Sequence, residues 1–148
     1  MKKVKINQYE KKESYPAEDI LKLVPDRKIF SDGKIKPRKY ILNINGDMIK
    51  MASDRYYTFL KSLKCAYCSI EGKFMRKERI LNHKGKPTTE RFHFNLYAIN
   101  SDGDEVLMTK DHIIPKSKGG HNSIRNYQTC CVNCNSDKSS NLNYGLDF

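Results

Sequence analysis

The chain has 148 residues, a length typical of one domain of roughly 100–200 residues. Its 28 Lys and Arg residues exceed its 17 Asp and Glu residues, which gives a formal net charge of +11. No stretch approaches the roughly 18 consecutive apolar residues of a membrane span, and the charged N-terminus lacks the apolar core of a secretory signal. Membrane proteins, secreted disulfide scaffolds and acidic tails are therefore disfavoured. A cytoplasmic protein with an anionic partner is expected, and nucleic acid is the first candidate for that partner.

The N-terminal part contains short elements and matches no functional motif. Residues 1–13 are polar and predict an arm or an edge strand, and two acidic residues after a proline predict a short helix over 16–24. Asn45-Gly46 lies between two apolar runs and predicts a hairpin over 40–51 with a type I′ turn. We therefore expect an N-terminal α/β appendage over 1–60, which is a candidate for DNA binding.

Longer elements lead into the C-terminal part. Ser53 is a suitable N-cap, and an apolar stripe at helical spacing predicts a helix over 54–64. Alternating apolar and polar residues over 92–99 predict a strand, and a second extended run over 105–114 completes a hairpin. The predicted fold class is α+β with long β-hairpins, and the second predicted domain covers 61–148.

The five cysteines favour a metal site. Cys65–Cys68 and Cys131–Cys134 each have Cys-x-x-Cys spacing, with 62 residues between the pairs, and thiols are expected to stay reduced in this chain. Each pair can present two thiolates to one tetrahedral Zn²⁺. The alternative is a redox pair beside unrelated buried thiols. Cys130 is expected to be a small apolar strand residue, although it could compete with Cys131 as a ligand.

Basic residues are concentrated before residue 92. Residues 1–91 hold 23 basic and 11 acidic side chains, whereas residues 92–148 hold 5 and 6. The densest segment, 73–91, is interpreted as an insertion looped out between the cysteine pairs. It is either a solvated surface or a face that follows phosphates, and we expect the second. The predicted DNA-contacting residues are Arg76, Lys77, Arg79, Lys84, Lys86, Lys116, Lys118 and Lys138; a solvated helix lysine is the alternative for the last.

The segment 111–139 gathers residues suited to metal-assisted chemistry. Asp111 and His112 end a predicted strand and enter a glycine-rich loop, and a short strand over 127–130 follows. A helix is predicted to start within the second cysteine pair and to carry Asn135. Carboxylate and amide oxygens suit Mg²⁺ or Mn²⁺, and a neutral imidazole can take a proton from water. These groups together favour metal-assisted phosphodiester hydrolysis.

At these residues the sequence resembles the HNH endonuclease family, in which a ββα-metal (His-Me finger) core lies between two zinc-binding Cys-x-x-Cys pairs. The resemblance covers about residues 65–140. Asn126 follows His112 by 14 residues, and Asn135 follows Asn126 by 9. The pattern is carried by Asp111-His112-Ile113-Ile114-Pro115, Gly119-Gly120, Asn126 and Cys131-x-x-Cys134-Asn135-x-x-Lys138, with Cys65-x-x-Cys68 upstream.

The resemblance assigns roles to individual residues. It implies that His112 is the general base, that Asp111 and Asn135 are ligands of a catalytic Mg²⁺ or Mn²⁺, and that Asn126 holds the loop and orients the histidine. It implies a structural Zn²⁺ held by Cys65, Cys68, Cys131 and Cys134.

The function implied is a divalent-metal-dependent DNA endonuclease that nicks or cuts double-stranded DNA as a monomer or weak dimer. The small, lysine-rich chain is similar to free-standing homing endonucleases of phages, which would act in the host cytoplasm. Two alternatives stay open at the level of sequence: a zinc-ribbon DNA-binding module without catalysis, and a nonspecific nuclease toxin acting on RNA or DNA.

Overall fold

Strands dominate the part of the chain that a computed structural model describes, which is residues 8–26 and 40–139 together with Gly33 and the backbone of 28–29 and 35–36. The elements in chain order are β1 (Tyr9–Pro16), α1 (Ala17–Leu21), β2 (Lys28–Ile29), β3 (Ile35–Lys36), β4 (Ile41–Ile44), β5 (Asp47–Lys50), α2 (Asp54–Lys61), β6 (Gly72–Ile80), β7 (His93–Ile99), β8 (Glu105–His112), β9 (Tyr127–Cys131) and α3 (Val132–Lys138), with 3-10 turns at Lys116–Lys118 and Ile124–Asn126.

An antiparallel five-stranded sheet in the order β1-β6-β7-β8-β9 forms the centre of the fold, and β2–β3 and β4–β5 are separate hairpins. The predicted α+β class is confirmed. The β4–β5 turn has φ of 52° at Asn45 and 89° at Gly46, as a type I′ turn requires. None of the described helices is long and apolar enough to span a membrane.

The helix α2 begins where the sequence indicates. The Ser53 hydroxyl accepts a hydrogen bond from the backbone N–H of Arg55 at 3.3 Å, which caps the first turn. Tyr56 and Phe59 are each 1% exposed and pack into the main core. The helix ends at Lys61, three residues before the predicted end, and α1 is likewise shorter than the helix predicted over 16–24.

The segment 73–91 differs from its prediction. The sequence predicts a looped-out insertion, but its first eight residues belong to β6, which pairs with β1 on one side and β7 on the other. The sequence of this strand lacks the usual alternation of apolar and polar residues, because two of its buried residues, Lys77 and Glu78, are charged. Both charged side chains have partners from other strands, and this satisfies them inside the fold.

The described residues before and after the predicted boundary at residue 60 share one sheet and one core. The strand β1 forms one edge of the same sheet as β6 to β9. A single buried cluster joins Ala17 and Ile49 to Phe94 and Cys130, on both sides of that boundary. The N-terminal elements therefore help to build the core on which the C-terminal residues are placed.

Candidate active site

Four cysteine sulfurs converge where β9 meets α3. The Sγ atoms of Cys65, Cys68, Cys131 and Cys134 all lie within 4.8 Å of one another, and those of Cys68 and Cys131 are 3.7 Å apart. Tetrahedral zinc with Zn–S bonds of about 2.3 Å requires sulfurs about 3.8 Å apart. This donor set therefore fits a structural Zn²⁺.

Local backbone contacts hold the two cysteine pairs together. The N–H of Cys65 donates to the Ile70 carbonyl at 2.8 Å, and the N–H of Ala66 donates to the Thr129 carbonyl of β9 at 2.9 Å. On the other side, the Cys131 sulfur caps α3 by accepting from the Cys134 N–H at 3.4 Å. A zinc ion bound by these sulfurs would join the turn that carries Cys65 and Cys68 to the point where β9 meets α3.

The fifth cysteine lies outside this group. Cys130 is fully buried, and its sulfur lies 3.5 Å from the Cys131 carbonyl. Hydrogen bonds from the Cys130 and Cys131 thiols hold the pKa of Cys65 well below its usual range. The position of Cys130 within β9 agrees with the expectation of a small buried strand residue.

At the end of β8, Asp111 and Lys138 form a buried ion pair. The Lys138 ammonium donates to Oδ2 of Asp111 at 2.8 Å, and the two residues are 2% and 5% exposed. Gln128 donates to the same oxygen at 2.9 Å, and Lys138 also donates to the His112 carbonyl. The sequence suggested that Lys138 either contacts phosphate or is a solvated helix lysine, and its burial against Asp111 agrees with neither. Lys138 fixes the carboxylate at the strand end.

Thr109 determines how the Asn135 side chain is oriented. The Thr109 hydroxyl donates its single proton to the Cys130 carbonyl at 2.8 Å, so it must accept from Nδ2 of Asn135, also at 2.8 Å. This leaves Oδ1 of Asn135 as the available acceptor. Among the described residues, neither this oxygen nor Oδ1 of Asp111 has a hydrogen-bond partner.

Both side chains line one cavity. It measures about 330 Å³, and Asp111, His112, Lys116 and Asn135 are among the residues that line it. Two side chains that offer an oxygen each, one of them anionic, are a donor set suited to Mg²⁺ or Mn²⁺, which keep most of their remaining positions for water and phosphate. The residues present therefore fit a hard divalent cation.

The imidazole of His112 is held from two sides. Its Nε2 lies 2.8 Å from Oδ1 of Asn122, and its ring meets Tyr127 edge-on at 5.1 Å between centroids. An amide oxygen can only accept, so Nε2 donates to it, and Nδ1 is the ring nitrogen that faces away from this bond. The sequence does not single out Asn122, because an asparagine in a glycine-rich loop is typical of a turn and indicates no partner.

Asn126 closes the loop that carries Asn122. Its Oδ1 accepts from the Ile114 N–H at 2.9 Å, while Nδ2 donates to the Ile114 and His121 carbonyls at 3.0 and 2.9 Å. A Cβ on Gly120 would lie 1.7 Å from the Ile114 carbonyl oxygen, so only glycine fits there. The contacts agree with a loop-holding role for Asn126, exerted on His112 through Asn122.

Besides Lys138, three of the expected DNA-contacting side chains have acidic partners inside the protein. Lys77 is fully buried and lies 2.9 Å from Glu13 and 2.8 Å from Asp47, so it cannot face a phosphate. Arg76 forms a two-pronged pair with Glu105, and Arg79 pairs with Glu10.

These partners arise because β6 lies inside the sheet, whereas the sequence suggested an exposed insertion. Of the other lysines expected to contact DNA, four have exposed side chains: Lys84, Lys86, Lys116 and Lys118.

A comparison with protein-family models matches residues 100–146 to the HNH endonuclease family. Over this segment the chain is similar to HNH endonucleases. The HNH match covers about a third of the chain and takes in β8, β9, α3 and the loop between the strands. No curated protein and no solved structure gives a significant match. The family resemblance found in the sequence is thus confirmed over this segment.

Proposed function

We infer that the protein is a divalent-metal-dependent HNH DNA endonuclease in which β8, β9 and α3 form the ββα-metal core. The observation that carries this proposal is the cavity shared by Asp111, His112 and Asn135, in a segment that matches the HNH family. These residues come from the end of a strand and from a following helix, and they are brought together at the corner that the four cysteines would pin with zinc.

Asp111 and Asn135 would hold the catalytic cation. Lys138 and Gln128 donate to one oxygen of the Asp111 carboxylate, so that the other oxygen is left for the metal. Thr109 accepts from the amide nitrogen of Asn135, so that the amide oxygen is left for the metal as well. When bound, Mg²⁺ or Mn²⁺ would supply Lewis-acid stabilisation of the charge that develops on the scissile phosphate and the leaving oxygen.

His112 would act as the general base. With Nε2–H bound to Asn122, the free Nδ1 can accept a proton from the attacking water. The Tyr127 ring packs against the imidazole and limits its rotation. Lys116, exposed at the rim of the same cavity, would contact a non-bridging phosphate oxygen.

The proposed substrate is double-stranded DNA. The exposed side chains of Lys84, Lys86, Lys116 and Lys118 would contact its backbone. One such site cuts one strand in each encounter, so a monomer would release nicked DNA and a dimer could produce a double-strand break. A homing endonuclease of a phage is the biological setting that the resemblance suggests.

A plasmid assay tests the proposal. Supercoiled DNA is incubated with the zinc-loaded protein in Mg²⁺, in Mn²⁺ and without added divalent metal, with zinc content measured at the end of each reaction. Nicked or linear product that depends on Mg²⁺ or Mn²⁺ is expected. Tight DNA binding without cleavage in any arm would instead favour a zinc-ribbon binding module, and faster cleavage of single-stranded RNA than of duplex DNA would favour a nuclease toxin.

A further inference from the structure

The strands β7 and β8 separate beside the catalytic strand end. Their ladder runs from Ile99/Glu105 to Tyr97/Leu107 and stops there. Beyond this point β8 pairs only with β9, and the first half of β7 pairs only with β6. A cleft of about 390 Å³ fills the gap, and Tyr9, Arg55, His93, Asn95 and Lys110 are among the side chains that line it.

The β7 side of this cleft is already satisfied by α2. The Phe94 N–H donates to the Tyr56 hydroxyl at 2.9 Å, and the Arg55 guanidinium donates to the Phe94 carbonyl at 3.1 Å and to Oδ1 of Asn95 at 2.7 Å. Because the N–H and the carbonyl of Phe94 both have partners, this edge of β7 cannot pair with an additional strand at Phe94. The cleft presents side chains to its occupant.

Two of those side chains are cations without a carboxylate partner among the described residues. Arg55 donates only to neutral oxygens, and Lys110 contacts the face of the Tyr127 ring, with Nζ 4.1 Å from its centroid. Asp54 attracts Lys110 electrostatically, and no ion pair joins these two side chains within the described residues. Unlike Lys77, which is paired with Glu13 and Asp47, these two cations therefore leave positive charge at the cleft.

The buried carboxylate of Glu78, near the cleft, is engaged elsewhere. Glu78 accepts from Asn95 at 2.6 Å and from the Tyr97 hydroxyl at 2.6 Å, and Arg76 lies 3.9 Å away. The charges of Arg55 and Lys110 are thus free to attract an anion into a partly enclosed space, where the field is stronger than in open water.

Lys110 also lies next to the catalytic histidine. Residues two apart on a strand share a face, and their Cα atoms are about 6.7 Å apart, so Lys110 and His112 face the same side of β8. The Tyr127 ring contacts both of them. A DNA strand rises about 3.4 Å per nucleotide along the helix axis, so this spacing corresponds to one or two nucleotides.

We propose that the β7–β8 cleft binds a phosphodiester of the DNA strand one or two nucleotides from the scissile phosphate, with Lys110 and Arg55 as the contacting cations. This inference rests on the proposed nuclease function. Tyr9, His93 and Asn95 would complete the polar lining, and Leu107 would contact the sugar.

The test measures duplex DNA binding over a range of salt concentrations, without added Mg²⁺ or Mn²⁺, so that it is independent of cleavage. Lys110→Gln is expected to raise Kd about tenfold, since it removes one charged hydrogen bond, and to flatten the slope of log K against log salt by about 0.9. Lys110→Arg keeps the charge and should keep the wild-type slope. Lys73→Gln is the matched control, because Lys73 is exposed and already paired with Glu71.

An unchanged salt slope for a folded Lys110→Gln variant would overturn the proposal, whether or not the wild type cleaves DNA. Conversely, a wild type that binds DNA with the Lys110-dependent slope but never cleaves would overturn the nuclease function and leave this contact standing. A titration with dAMP separates the two sources of phosphate: Lys110-dependent binding of dAMP tighter than that of duplex DNA would show a mononucleotide site and contradict the proposal.

Discussion

Lys138 of α3 and Asp111 of β8 form an ion pair of 2.8 Å that is almost completely buried. The same ammonium group reaches the His112 carbonyl, so one side chain ties the helix to both residues at the strand end. The pair fixes the position of the carboxylate without any metal, and it occupies only one of the two carboxylate oxygens.

Replacement of this lysine should destabilise the fold. Lys138→Met would leave the Asp111 charge buried without its cation, which typically costs about 3–5 kcal/mol. The free energy of unfolding, measured in denaturant on zinc-loaded protein, should fall by that amount. Lys118→Met, at an exposed position, should change it by less than about 0.5 kcal/mol. Equal effects from both substitutions would show that the ion pair contributes nothing specific.

Zinc binding should depend on four of the five cysteines. Cys65→Ser or Cys134→Ser should lose the metal and unfold the core, because ligation of a structural zinc is coupled to folding. Cys130→Ser should keep one zinc per chain, since its sulfur lies outside the four-sulfur group. Elemental analysis of the purified variants measures this. Loss of zinc from Cys130→Ser would place this residue among the ligands.

The glycine-rich loop should tolerate no side chain at Gly120. Gly120→Ala would force the loop away from the Ile114 carbonyl and from Asn126, and so displace Asn122 from His112. We expect a fall in cleavage rate of at least about tenfold with DNA affinity retained. Gly103→Ala is the control, because its Cβ would meet no neighbour and its positive φ costs only about 1–2 kcal/mol. Wild-type cleavage by Gly120→Ala would contradict the loop-holding account.

Stability should depend on pH through His93. Burial, together with the nearby charge of Arg55, lowers the pKa of this imidazole from 6.5 to about 4, against a hydrogen bond with Asn95 that raises it. Between pH 6.5 and 4 the unfolded chain therefore binds a proton that the folded protein excludes. Stability from this group is complete above pH 6.5 and declines as the pH falls, by about 3 kcal/mol in total.

His93→Gln should remove this part of the pH dependence, measured as the difference from wild type in unfolding free energy at pH 4.5 and 7. His83→Gln, at an exposed position, should retain it. The same pH dependence in wild type and His93→Gln would mean that the imidazole does not exclude its proton when the protein is folded.

The elements with local signals were predictable from the sequence. The Asn45-Gly46 turn, the Ser53 cap and the alternation over 92–99 each report a short-range preference of the backbone, and each element lies where it was expected. The strand β6 was not predictable in this way. Its buried Lys77 depends on Glu13 and Asp47, which come from other strands, and no local pattern reveals such a partner.

The candidate site shows the same division. The spacing of Asp111, His112 and Asn135 identified the residues that line the cavity. It could not identify Asn122 or Thr109, which act through single hydrogen bonds set by tertiary geometry. Lys138 was recognised as part of the motif, but whether it faces solvent or the core depends on the packing of α3 against β8.

The most direct test of the nuclease proposal is the single-turnover cleavage rate of plasmid DNA in Mg²⁺ by His112→Ala, compared at saturating enzyme with the wild type and with His83→Ala. A positioned general base typically contributes about 10²–10⁴-fold. The proposal requires His112→Ala to lose cleavage by that factor while it keeps its zinc and its affinity for DNA, with His83→Ala unaffected. Cleavage by His112→Ala at the wild-type rate would contradict it.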